Sequence, residues 1–201
     1  MKRYAFIDVQ NTESTTDQLL GFVIDWYKMY QYLKERWDCE KIFFYSGIAN
    51  GDIEASLEYQ KLSELGYIVH IKPYFIYKNP DQIVKISCPE CSTEIIHKIS
   101  KGAKWKSNCD VEFSVDAMRH MTEDIEYMFF TGDGDFEYLV REALKYSKRV
   151  YIVSSAKKIN TRFRYFTSRL SSKLRDLVAE NRELVFFVEI QDWKTKIKKD
   201  I

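Results

Sequence analysis

The feature that most constrains this chain is the alternation of short apolar runs with stretches of helical spacing. Residues 4–8, 41–45, 67–75, 127–131, 150–154 and 184–189 are apolar or aromatic runs of strand length. Between them, residues 15–37, 52–65, 110–120, 135–145 and 168–181 read as helices, with apolar side chains recurring every three or four positions in 15–37. Gly66 stands where a helix over 52–65 would stop. Strands alternating with helices predict a mostly parallel central sheet with helices on both faces, a three-layer α/β/α sandwich. Right-handed crossovers then bring the C-terminal ends of the strands to one edge, where such sheets bind ligands.

The rhythm breaks once. Residues 77–107 hold two of the three prolines and two of the four cysteines, together with many lysines. They read as an insertion of short strands and turns. A chain of 201 residues suits one domain carrying such an insertion, here 1–190, followed by a Lys-rich tail at 191–201 that is expected to fray.

Against this frame the aspartates stand out. Asp8 ends the first strand, and Asp133 and Asp135 follow the strand at 127–131. Asp110 opens a helix directly after the insertion, and Asn11 lies three residues beyond Asp8. If the strands are parallel, these side chains open onto the same edge. Carboxylates crowded together repel one another, and a cation relieves the repulsion. Mg²⁺ and Mn²⁺ prefer such oxygen ligands. Taken singly, Asp110 and Asp135 also read as helix N-caps and Asp133 as a turn residue. Asp8 has no evident capping duty.

Charge is distributed unevenly. The formal net charge is +1, yet Lys157, Lys158, Arg162, Arg164, Arg169, Lys173 and Arg175 occur in one stretch with no acid, while Asp and Glu cluster between Asp110 and Glu142. An acidic site beside a basic surface suits a metal-dependent enzyme acting on a polyanion. Phe163, Tyr165 and Phe166 interleave with those cations, as in a surface for single-stranded nucleic acid, but the rings read as core packing and the cations as phosphate contacts. Lys104 and Lys106 extend the same set. No apolar run reaches membrane-span length, and no signal-type segment precedes the first strand, so the expected location is cytoplasmic. Gly132 and Gly134 have no third glycine at dinucleotide spacing.

The motifs themselves resemble a known family. Phe6-Ile7-Asp8-Val9-Gln10-Asn11 resembles the opening D-x-x-N of NYN domains, a branch of the PIN-like nucleases that includes LabA-like proteins. The run from Cys109 to Met118 resembles their central D-V-x-x-x-x-D helix, and Thr131-Gly132-Asp133-Gly134-Asp135-Phe136 their S/T-G-D-x-D-F signature. The resemblance implies a PIN-like fold and a metal-dependent ribonuclease, with Asp8, Asp110 and Asp133 holding Mg²⁺ or Mn²⁺. Asp135 and Asn11 would support them, and single-stranded RNA would be the partner. An RNA-binding or adaptor module of the same fold, weak or inactive in catalysis, is the alternative. Asp116 is a further candidate by resemblance. It lies about 240° around a regular helix from Asp110, so a helix-positioning hydrogen bond is expected instead. Two departures stand in the sequence. Lys106-Ser107-Asn108-Cys109 occupies the place where the family often has Lys-Gly, and no counterpart is evident of the additional Glu of many PIN domains.

Cys88-Pro89-Glu90-Cys91 is a C-x-x-C turn. It reads as half of a tetrahedral zinc site, with His97 and Cys109 as candidates for the other half, or as two free thiols in a hairpin. The sequence leaves the oligomeric state open, a dimer included.

Overall fold

The computed structural model describes residues 2–91, 93–160 and 166–200, with the backbone alone at 104–106, 159–160 and 166–167. The elements in chain order are β1 (Lys2–Asp8), α1 (Val9–Glu13), a π-helical turn (Ser14–Leu19), α2 (Trp26–Glu35), β2 (Cys39–Ile48), α3 (Ile53–Leu65) and β3 (Ile68–Pro73). The insertion contributes β4 (Phe75–Lys78), β5 (Gln82–Ser87), β6 (Glu94–Ile99) and β7 (Ala103–Lys106). There follow α4 (Asp110–Arg119), β8 (Ile125–Phe130), a 3₁₀ turn (Gly134–Phe136), α5 (Glu137–Ala143), β9 (Val150–Ser154), the short pair β10 (Ile159–Asn160) and β11 (Phe166–Thr167), α6 (Ser172–Glu180), β12 (Val185–Glu189) and α7 (Lys194–Ile197).

Six strands form one sheet in the order β12-β9-β8-β1-β2-β3, and every neighbouring pair is parallel. The chain leaves β1 toward β2 and β3, and later leaves β8 toward β9 and β12 in the opposite direction. The direction of winding therefore reverses between β1 and β8, where loops diverge and leave a crevice at the strand C-termini.

Strand periodicity explains why the central runs are apolar throughout. Ala5, Ile7, Phe44, Met128 and Phe130 pack on one face with Met29, Leu33, Leu62 and Ile197 from α2, α3 and α7. Tyr4, Phe6, Phe43, Tyr127 and Phe129 pack on the other with Phe113, Leu139, Val140, Leu174 and Leu177 from α4, α5 and α6. Phe6 stacks on Phe43 at 4.5 Å between ring centroids and also meets Phe113 and Phe129. Side chains on both faces are removed from water, so the alternation typical of a half-exposed strand is absent.

Two expectations need correction. The helical spacing over 15–37 conceals a break: a π-helical turn ends at Leu19, Gly21 takes φ +68°, and α2 begins only at Trp26, capped by Asp25. The tail over 191–200 is docked and not frayed, because Trp193 and Ile197 are buried and the Asp25 N–H donates to the Ile197 carbonyl. The four-residue spacing of Trp193 and Ile197 places both on one side of a short helix, while the lysines between them face out. Cys39 opens β2 and is buried, with its thiol 3.7 Å from the Met128 sulfur.

The insertion is an antiparallel arm in two storeys. Phe75 to Lys78 pair with Lys106 to Ala103, and beyond them Gln82 to Ser87 pair with Ile99 to Glu94. The C-x-x-C turn caps the far end.

A candidate active site at the strand C-termini

Each of the three leading aspartates reaches the crevice from a different element. Asp8 is the last residue of β1 and, contrary to the sequence reading, it does cap a helix: its Oδ1 accepts the Asn11 N–H at 3.1 Å at the start of α1. Asp133 follows β8, and its Oδ1 accepts the Asp135 N–H at 3.0 Å. Asp110 is the first residue of α4, and Cys109 holds the N-cap position without a side-chain bond. The N–H of Asp110 donates to Asn108 Oδ1 at 2.9 Å.

The three acids line one cleft of about 660 Å³, with Asn11, Ser14, Tyr45, Ser46, Ser107 and Cys109 on its walls. Their mutual influence is visible at Asp8. Burial, joined by the nearby charges of Asp110 and Asp133, pushes its carboxyl up to about 7, against the opposing pull of the Asn11 N–H.

Two loops are locked together at this point. Asn11 Oδ1 accepts the Gly132 N–H at 3.0 Å, and Thr12 Oγ1 donates to the Asp8 carbonyl at 2.6 Å. Gly132 also permits a close approach: a Cβ there would lie 2.1 Å from the Arg169 carbonyl oxygen and 2.6 Å from Ser154 Oγ. The loop before α6 is thus pressed against the turn that carries Asp133, and the Ser171 N–H donates to the Gly132 carbonyl at 2.9 Å.

A model of the NYN domain matches residues 3–172. The chain belongs to the NYN domain family. A nuclease-like fold follows from that membership, and the parallel six-stranded sheet agrees with it. Among solved structures, a protein of unknown function from Vibrio parahaemolyticus shares the fold: TM-score 0.59 and 22% identity over 94% of this chain and 92% of that one. No curated protein matches.

The remaining candidates of this NYN domain separate into those near the cleft and those away from it. Asp135 is exposed and does not line the cleft. Asp116 also stays outside it, as its helical offset from Asp110 requires. Its carboxylate accepts from Tyr45 Oη at 3.1 Å and lies 3.4 Å from both His70 Nε2 and Arg119 Nη1. It therefore ties α4 to β2 and β3 and holds Tyr45 in the cleft wall. Lys72 does similar work beside Asp110, pairing with Glu112 at 2.6 Å and donating to the Asn108 carbonyl at 3.1 Å.

The residues expected to form a zinc site are not brought together. Cys109 lies in the acid cleft with its thiol 3.5 Å from the Ser46 carbonyl. His97 pairs with Val84, three ladder positions below the Ser87–Glu94 pair that precedes the C-x-x-C tip, which is about 10 Å along a strand. Among the described residues, no three Cys, His, Asp or Glu side chains converge closely enough to enclose a metal ion.

Of the basic candidates, Arg162 and Arg164 lie outside the described residues, as do the side chains of Lys104 and Lys106. Lys157, Lys158 and Lys173 are exposed. The aliphatic stem of Lys173 passes Gly134, one residue from Asp133, where an added Cβ would come within 3.2 Å of it. Arg169 reaches back to the π-helical turn, donating to Gln18 Oε1 at 2.9 Å and to the Ser14 carbonyl at 3.3 Å.

Sequence reading missed Tyr45, Ser46, Ser107 and Tyr77 as cleft residues. Ser46 and Tyr45 had a usable signal, since β2 ends at the same sheet edge as β1. Ser107 and Tyr77 had none, because they reach the cleft only through the path of the arm.

Proposed function

We propose that this NYN domain is a divalent-metal-dependent ribonuclease that cleaves single-stranded RNA, acting as an endonuclease. The observation that carries the reading is the gathering of Asp8, Asp110 and Asp133 on one cleft, close enough that Asp110 and Asp133 raise the Asp8 carboxyl. The three carboxylates are hard oxygen donors, which suit Mg²⁺ or Mn²⁺. Among the described residues no three acids converge to enclose a bare ion, and Mg²⁺ keeps several of its waters while taking only one or two carboxylates. Asp8, Asp110 and Asp133 would hold such a hydrated ion, directly or through water. When bound, the ion supplies an activated water and neutralises charge developing on the phosphate.

The protein's own residues supply the rest. Asn11, through Gly132, keeps the Asp8 and Asp133 turns at a fixed separation. Ser107 offers a hydroxyl on the cleft wall for ribose or phosphate oxygens. Lys157, Lys158 and Lys173 supply exposed positive charge for the flanking phosphates. The test is cleavage of a labelled single-stranded RNA in Mn²⁺. Asp8→Asn, Asp110→Asn and Asp133→Asn should each lower the rate at least 100-fold, and cleavage at the unmodified rate in all of them would remove the proposal.

A second reading, an RNA-binding module without turnover, is favoured by the short supply of acids, since the cleft lining holds three and no glutamate. It predicts salt-sensitive RNA binding and no cleavage in any divalent metal.

A further inference from the structure

The outer storey of the arm has two unlike faces. Directly paired residues of an antiparallel ladder share a face. One face therefore carries Gln82 with Ile99, Val84 with His97, and Ile86 with Ile95. The other carries Ile83 with Lys98, Lys85 with Ile96, and Ser87 with Glu94. The first face is apolar along most of its length, yet Ile86, Ile95 and Ile99 are 53%, 57% and 43% exposed. A two-stranded ribbon in water is marginal by itself and needs a covering layer on its apolar side. Nothing among the described residues of this chain covers it.

The tip is incomplete in a matching way. Cys88 and Cys91 are free thiols at the two ends of the turn; the Cys91 thiol donates to Thr93 Oγ1 at 3.2 Å, and the Cys88 N–H closes the turn on the Thr93 carbonyl at 3.0 Å. Two sulfurs from such a turn are half of a tetrahedral zinc shell. No described third ligand lies beside them, because His97 is about 10 Å down the ladder and Cys109 is in the acid cleft.

We propose that the arm tip is half of a structural zinc site, completed by Cys88 and Cys91 of a second copy of this chain. A two-fold axis running along the arm satisfies both deficits with one operation. It brings tip to tip, so that four thiolates surround one zinc. It also lays Val84, Ile86, Ile95 and Ile99 of one arm against the same residues of the other. A two-fold interface is self-complementary, which is the condition that an apolar face and a half-set of ligands both meet. The face bearing Lys85, Lys98 and Glu94 stays in solvent. Four thiols lose their protons when the zinc binds, so the assembly is zinc-linked and is undone by chelation or acid. This inference does not depend on the nuclease reading.

The experiment uses the full chain, purified reducing and metal-free, then titrated with Zn²⁺ or Co²⁺ while mass is followed by light scattering. Expected are a shift from one chain mass to two, saturation at one metal per two chains, and a Co²⁺ spectrum with thiolate charge transfer and tetrahedral bands. Cys88→Ser with Cys91→Ser should abolish metal uptake and the mass shift, while Cys39→Ser changes neither. Ile86→Lys with Ile95→Lys, which keeps every thiol, should weaken the zinc-linked dimer at least tenfold. Saturation at one metal per chain on a monomer, absence of thiolate bands, or a dimer that survives the double serine change would each overturn the proposal.

Discussion

The Asn11 side-chain oxygen accepts the backbone N–H of Gly132 at 3.0 Å, joining two turns that lie 121 residues apart in the chain. This bond sets the separation of Asp8 and Asp133 more directly than any contact between the acids themselves. Asn11→Ala strands the Gly132 N–H in a buried turn and should cost about 1–3 kcal/mol. RNA cleavage should fall further than the melting temperature implies, because the two acids lose their register. Asn11→Asp keeps the acceptor but adds a fourth carboxylate to the cleft, so it should recover the stability only in the presence of a divalent cation. Thermal melts compared with single-turnover cleavage rates separate the two effects.

Gly132 also tests the packing of the two loops. A Cβ there would lie 2.1 Å from a backbone carbonyl, which cannot rotate away as a side chain would. Gly132→Ala should destabilise by about 1–3 kcal/mol and disturb the Asp133 turn. Urea unfolding gives the stability term, and an unchanged midpoint would show that the loop before α6 yields freely.

Asp8 makes stability depend on pH with a definite sign. Its carboxyl is pushed up to about 7 from the model-peptide value of 3.8, so between those values the folded chain holds a proton that the unfolded chain has released. Its contribution to stability is present below the lower value and is lost as pH rises to the upper one. Asp8→Asn removes that slope while keeping an oxygen to cap α1. In chelator, the variant should gain on the order of 2 kcal/mol over the unmodified protein on going from pH 5 to pH 8. Adding Mg²⁺ should stabilise the unmodified protein at pH 8 far more than at pH 5. Melts across that range check both statements.

At the opposite edge of the sheet, Arg3 pairs with buried Glu126, directly across the β1–β8 ladder, and its guanidinium lies over Trp37 and Tyr151. Glu126→Ala leaves a largely buried cation without its partner and should cost about 3 kcal/mol. Because the pair sits far from the strand C-termini, the fraction that remains folded should cleave RNA at the unmodified rate, and activity normalised to folded protein measures this.

Lys157, Lys158 and Lys173 act on the phosphate backbone in the proposed complex. Replacing one of them by Gln should weaken RNA binding equally for unrelated sequences and lower the slope of log K against log salt by about 0.7. Filter binding at several salt concentrations reads that slope, and a change confined to one RNA sequence would argue for base contact instead.

The sheet and its order of elements were legible because burial on both faces leaves a local mark: β1, β2, β8 and β9 carry apolar runs that admit little else. The D-x-x-N and T-G-D-x-D-F motifs were legible because turn geometry demands particular residues at adjacent positions. Some misses were local too, such as the break at Gly21, where φ is positive, and the buried Trp193–Ile197 spacing in the tail. Asp8 was underread in another way, since its capping bond to Asn11 depends on a helix of only five residues.

By itself, then, the amino-acid order determined the alternating layers and the family and marked the candidate acids, all of which depend on residues near one another in the chain. The tertiary structure decided which of those acids share a cleft: Asp110 enters it, while Asp116, six positions on, turns away to Tyr45 and His70. It also decided that Cys109 belongs with the acids and not with Cys88 and Cys91. Such choices turn on the closing of long loops and the reach of the arm, and spacing along the chain carries no record of either.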